Sequence, residues 1–202
     1  MSRLSRAAFR LVESKRLRVV TGVLFAAALA GLIVVNINVS RGYFASHKDA
    51  AALTVRFDRL SQSHTNQCSL ASVDANGRLH GRLQGSCCSR MDFNHYVQQV
   101  VGVRAYAHIT EIPADPYDIP VGLARRLAAF NDSIPLRPDD QAVYDRAIRL
   151  SDEHGPCCCH CWRWRAFEGM ARYLIARREW GAEQVAAIWD LEDGCGGGGK
   201  QT

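Results

Sequence analysis

An all-α fold class is predicted, as one N-terminal transmembrane helix followed by a small cysteine-rich domain of about five helices. Two observations predict it. Nineteen consecutive residues, Val19 to Ile37, carry no charge. From Cys87-Cys88 onward, apolar residues recur at helical spacing between short Gly- and Pro-marked breaks, and no strand is required there.

The first eighteen residues hold Arg3, Arg6, Arg10, Lys15, Arg16 and Arg18 against the single acid Glu13, which makes a basic cytoplasmic tail. The remaining residues carry nineteen charges of each sign. The +5 of the chain is therefore a property of its first segment, and binding to nucleic acid loses its main support. The uncharged run after this tail would form a helix of about 28 Å, close to a bilayer's hydrocarbon thickness. Residues 19–38 read as the membrane span, with the lipid bilayer as a partner. Only Arg41 and Lys48 lie near its far side, so the positive-inside rule places the N-terminus in the cytoplasm and residues 40–202 outside. A cleaved signal peptide is the alternative, because Ala28-Leu29-Ala30 resembles a cleavage site. No lipobox-type cysteine follows the span.

Residues 39–86 read as a stalk. His47–Leu60 has the composition to continue as a helix, Ser61–Gly85 is rich in Ser, Gly, Asn and Gln, and Asn76-Gly77 is a hairpin signal. The helical domain spans 87–196. Phe93, Tyr96, Val97, Val100 and Val103 mark a first helix from about Asp92 to Ala107. The run IPADPYDIP breaks the chain before a second helix with Ile119-Pro120 at its start and Leu123, Leu127 and Phe130 on its stripe. A third runs from Pro138 to about Glu153, with Asp139 and Asp140 at its positive end and Val143, Ala147 and Leu150 inward. A fourth begins at about Trp162, with Phe167, Met170, Ala171, Leu174 and Ile175 as the cleanest stripe in the chain. A short fifth covers Ala182 to Trp189, and residues 197–202 form a tail.

The chemistry lies with the eight cysteines. Seven fall in the helical domain, at its joints: Cys87-Cys88 before the first helix, Cys157, Cys158, Cys159 and Cys161 before the fourth, and Cys195 after the fifth. Cys68 sits apart in the stalk. A helix N-terminus favours a nearby thiolate. Cys157, Cys159 and Cys161 alternate, so an extended segment would turn three soft sulfurs to one side and leave Cys158 and His160 facing the other. Such sulfurs select a soft metal ion (copper, zinc or another thiophilic ion) or an iron–sulfur cluster. The pattern is not the paired C-x₂-C of a structural zinc module.

The run Pro156-Cys157-Cys158-Cys159-His160-Cys161 resembles the PCYCGC-motif proteins, exported or membrane-anchored cysteine-rich bacterial proteins. The match is P-C-x-C-x-C followed by a helix and a later Gly-Cys, over about the last 60 residues; Cys158 stands where the family has Tyr, and His160 where it has Gly. The set GSCCS, DPYDIP, GPCCCHCWRW and WDLEDGCGG also looks like uncharacterised membrane-anchored actinobacterial proteins. The resemblance implies an exported domain that binds metal through Cys157, Cys159, Cys161 and Cys195.

The leading expectation is thus an extracytoplasmic, membrane-anchored soft-metal-binding protein, for metal handling or sensing. Its ligands would be Cys157, Cys159 and Cys161, joined by Cys195, Cys87, Cys88, Cys158 and His160, and its partner a metal transporter or a redox protein. Two other readings stand beside it. An oxidising location and an even cysteine count suit structural disulfides, although four cysteines within five positions are hard to pair separately. A low-pKa thiol at a helix start suits thiol–disulfide exchange, against which stand the missing C-x-x-C and βαβ pattern. Trp162, Trp164, Trp180 and Trp189 read as core that shields the site, Arg163 and Arg165 as offsets for thiolate charge, and His154 as a helix-end cation or a nitrogen ligand. No nucleophile elbow, P-loop, HExxH or dinucleotide fingerprint is present.

Overall fold

A computed structural model describes residues 47–68 and 81–197. The basic tail, the apolar run Val19–Ile37, the Asn76-Gly77 turn and residues 198–202 lie outside the described residues. The chain divides into two units, Met1–Asp49 and Ala50–Thr202, and the buried core and the cysteines lie in the second.

Six helices and a small sheet make up the described residues: α1 (His47–Ser61), β1 (Arg82–Gln84), α2 (Phe93–Val103, extended by a 3₁₀ turn at Arg104–Tyr106), β2 (Asp118–Pro120), α3 (Val121–Ser133), α4 (Pro138–Leu150), α5 (Trp162–Arg178) and α6 (Ala182–Leu191). The predicted all-α class is corrected on two counts. First, β1 and β2 pair antiparallel, Leu83 opposite Ile119, with both side chains buried. Three residues per strand are too few to display alternation, so the sequence pattern carried no sign of them. Second, no helix among the described residues is long and apolar enough to cross a membrane. The longest, α5, has 17 residues and includes Arg163, Arg165, Glu168 and Arg172, whereas a span needs about 20 apolar ones.

Helix α5 is the axis of the fold. Its predicted stripe is wholly buried, Phe167, Met170, Ala171 and Leu174 at 0% exposure and Ile175 at 3%. Trp162, Arg163 and Ala166 are buried too, so the helix is enclosed on several sides and lacks one polar face. It lies along α3, where a Cβ at Gly169 would stand 1.9 Å from the Leu127 carbonyl oxygen. Glycine is the residue that lets the two backbones come this close. Helix α6 packs on α4, with Trp189 edge-on to Tyr144 and its indole N–H donating to the Phe167 carbonyl at 3.1 Å. On α4 the inner stripe is Tyr144 and Ala147; Leu150, expected inside, is 47% exposed, because the helix ends there and Ser151 takes the buried place.

Of the segment read as a stalk, the described residues 50–68 and 81–86 pack on the helices. Leu53 and Leu60 of α1 are buried with Tyr96, Val97, Val100 and Tyr117. Arg56 of α1 pairs with Asp115 at 2.9 Å, and Asp115 also accepts from Tyr96 Oη at 3.0 Å and from the Tyr117 N–H at 2.8 Å. After α1 the chain runs beside β1: Asn66 N–H donates to the Gln84 carbonyl at 3.2 Å, and the Gln84 N–H to Thr65 Oγ1 at 2.8 Å. This pairing carries Cys68 to the other cysteines.

A candidate thiolate metal centre

Four loop segments meet in a seam at the N-terminal end of α5. Residues 87–92 lie alongside 194–197: Cys87 N–H donates to the Gly194 carbonyl at 3.1 Å, Ser89 N–H to Cys195 at 3.0 Å, and Asp92 N–H to Gly196 at 2.8 Å. Asp92 then caps α2 by accepting from the His95 N–H at 2.8 Å. Asn66 secures the third segment, its Nδ2 donating to the Gly85 carbonyl at 2.8 Å and its Oδ1 accepting from Trp162 Nε1 at 3.2 Å. Cys68 Sγ in turn donates to the Cys87 carbonyl at 3.3 Å. The fourth contributor, residues 156–161, is an irregular turn in which Cys161 N–H bonds back to the Cys159 carbonyl at 2.9 Å.

All eight cysteines are free thiols, and seven have sulfurs in groups whose members lie within 4.8 Å of one another. Cys68, Cys88 and Cys159 form a near-equilateral triangle with edges of 3.4, 3.6 and 3.7 Å. Cys195 stands 3.5 Å from Cys157 and 3.8 Å from Cys87. Between the groups, Cys158 Sγ is 2.7 Å from Cys195 and 3.6 Å from Cys88, and Cys87 is 3.4 Å from Cys88. Among the described residues the groups contain cysteine alone, with no histidine or carboxylate.

The predicted ligands are distributed differently from the expected alternation. The turn at Cys159–Cys161 curls the backbone, so Cys157, Cys158 and Cys159 share one group rather than facing opposite ways. Cys161 is buried at the start of α5 and stands in none of the sulfur groups. His160 is exposed, its ring stacked on Trp164 with centroids 4.0 Å apart, and stands in no sulfur group. His154 occupies a left-handed turn residue after α4 and is exposed. Cys68, set apart in the sequence reading, is a full member of the seam. Its distance of 91 residues from Cys159 hid the link; the polar stretch Thr65-Asn66-Gln67 beside it was the available signal.

The electrostatics are uneven. Hydrogen bonds from Cys161 hold the Cys157 thiol down at about 6, and those from Cys157 and Cys87 hold Cys195 down at about 4. Cys87, which donates within this group, is raised by the same bonds. Burial pushes Cys88 up to about 11 and raises Cys158 and Cys159 as well. Beneath the low-pKa sulfurs lies Arg163, fully buried, donating to the carbonyls of Pro116 at 2.8 Å and of Glu192. Burial opposes its charge, but Cys87, Cys157, Glu192 and Asp193 together raise it. Its Nε and Nη1 and both carboxyl oxygens of Glu192 have no hydrogen-bond partner among the described residues. Burial raises Glu192 well above the usual carboxylate range, against the pull of Arg163. The guanidinium lies against Gly194, whose carbonyl accepts from the Cys87 N–H. Gly194 permits this: a Cβ there would lie 2.4 Å from Arg163 Cζ.

No family model, no curated protein and no solved structure matches the chain.

Proposed function

We propose that the seam binds a soft metal ion through cysteine thiolates and that the protein serves metal handling or sensing. One observation carries this reading: thiols drawn from four segments meet with nearest sulfur separations mostly between 3.4 and 3.9 Å. Tetrahedral thiolates about 2.3 Å from a zinc-sized ion stand about 3.8 Å apart, so the seam has the spacing of ligands around a bare ion. The all-sulfur donor set favours copper(I) or zinc over hard cations. An iron–sulfur cluster fits less well, because iron and sulfide sit between its cysteine sulfurs and keep them out of mutual contact. The extracytoplasmic, membrane-anchored location and the exchange partner, a metal transporter or redox protein, belong to the same proposal and rest on the sequence.

Elemental analysis with parallel thiol counting on the full reduced chain, purified without oxygen, tests it. Near-stoichiometric copper or zinc is expected, with thiols that react only after the ion is chelated. Metal-free protein whose thiols are oxidised would overturn it.

The 2.7 Å approach of Cys158 to Cys195 favours a second reading, thiol–disulfide exchange. The Cys195 thiolate would attack a partner disulfide and Cys158 would resolve the mixed disulfide. One disulfide would form here, and the partner would leave as a dithiol, carrying the two electrons. Under that reading Cys158→Ser traps the mixed disulfide; under the metal reading it lowers metal retention and traps nothing.

A further inference from the structure

The seam is long, and its two ends differ. Cys68, Cys88 and Cys159 form one triangle, Cys87, Cys157 and Cys195 another, and no residue is common to both. In the first, Cys88 is exposed and the other two are half-buried. In the second, Cys157 is 1% exposed and Cys195 8%, with Cys87 half-buried. Cys158, exposed, touches Cys195 of the inner group and Cys88 of the outer one. Only the inner group stands over a buried cation. Gly194 links them physically: its carbonyl accepts from Cys87 N–H and Sγ, and its Cα leaves no gap to the Arg163 guanidinium.

Resting on the metal-binding reading, we infer that the seam holds two soft d¹⁰ ions in unequal sites, an outer exchange site at Cys68, Cys88 and Cys159 and an inner retention site at Cys87, Cys157 and Cys195, joined by Cys158. Three thiolates around one copper(I) ion carry a net charge of 2−, which water offsets for the outer triangle and Arg163 offsets for the buried one. An ion enters or leaves by ligand exchange at the exposed triangle, one incoming thiolate or thioether displacing one cysteine sulfur with no change of oxidation state. It reaches the inner triangle through Cys158, which lies within contact of both. The cargo is therefore a thiophilic d¹⁰ cation, and the exchange partner carries soft ligands of its own.

The test is anaerobic titration of the full reduced chain with copper(I), followed by release into an excess of a coloured copper(I) chelator. Two ions per chain are expected, one released about tenfold or more faster than the other, the order of effect that surrounding groups have on metal affinity. The double variant Cys68→Ser, Cys159→Ser, at partly exposed positions, keeps one ion per chain with the slow rate. Cys195→Ser, checked for helix content by circular dichroism, loses the slow phase. A single ion in the native chain, two ions released at one rate, or loss of both ions from the Cys68/Cys159 variant would overturn the two-site arrangement and leave the metal reading intact. Failure of the native chain to hold any copper(I) would overturn both.

Discussion

The helical body and the cysteine seam are held together by different forces. In the body, α3, α4, α5 and α6 bury Leu127, Ala147, Phe167, Met170, Leu174, Val185 and Ile188 at essentially zero exposure, and its stability comes from removing apolar surface from water. The seam adds Cys157, Cys161 and Cys195 to that core, and what distinguishes it is hydrogen bonding. Backbone hydrogen bonds between loops hold it, together with the side chains of Asn66, Ser89 and Gln99 and the thiols themselves. Each seam segment is placed by the body: Cys161 and Arg163 by the start of α5, Cys195 by the end of α6, and Cys87 by the approach to α2; the expectation is that the body forms without the seam.

The largest effect is expected where the body is tightest. Gly169→Val would drive a branched side chain into the Leu127 carbonyl, 1.9 Å from its first carbon. The α3 and α5 axes must separate, at a cost of about 3 kcal/mol or more. Urea unfolding of the reduced chain should show a much lower midpoint, with metal binding lost alongside. An unchanged midpoint would mean that the α3–α5 contact is not what orders the seam.

A smaller and more local loss is expected from Asn66→Ala. The change strands the Gly85 carbonyl and the Trp162 indole N–H in a buried place, which costs about 2 kcal/mol. The body should keep its helices by circular dichroism, while Cys68 becomes readily alkylated. If the helices melt together with the seam, the two regions are one cooperative unit and the contrast fails.

The same contrast governs what the sequence disclosed. Apolar residues at helical spacing announce a face that must be buried, so the start of α5 at Trp162 and its stripe from Phe167 to Ile175 were legible, as was Pro120 before α3. The clustering of cysteines at helix joints was legible for the same reason, since joints are where the period breaks. Their pairing was not. Which loop lies against which depends on backbone groups that every residue carries, so nothing in residues 87–92 announces 194–197, and nothing in Cys68 announces Cys159. Arg163 reads in the sequence as an offset for thiolate charge or a solvated residue, and nothing there announces its complete burial, which comes from α5 being enclosed on several sides, a tertiary fact.

The finest test uses pH on the reduced, metal-free chain, where the two regions should act with opposite sign. Cys195 and Cys157, held near 4 and 6, have lost protons that an unfolded cysteine keeps up to about 9. The unfolded chain thus binds more protons, and their contribution to stability is fully present above about 9 and lost as the pH falls through 6 and then 4. Glu192, at the end of α6, works the other way. Its pKa is raised by burial, so its contribution is whole below the ordinary carboxylate pKa and is lost as the pH rises through the higher folded value. Cys195→Ser should flatten the acid-side loss, and Glu192→Gln the loss at higher pH. In mild acid Glu192→Gln should change stability by less than about 0.5 kcal/mol, because it replaces a carboxyl that is already neutral. Melting curves of the native chain and both variants across this range measure the two slopes. A steep loss for Glu192→Gln in acid would mean that the carboxylate is charged and paired with Arg163, leaving the inner sulfurs without their cation.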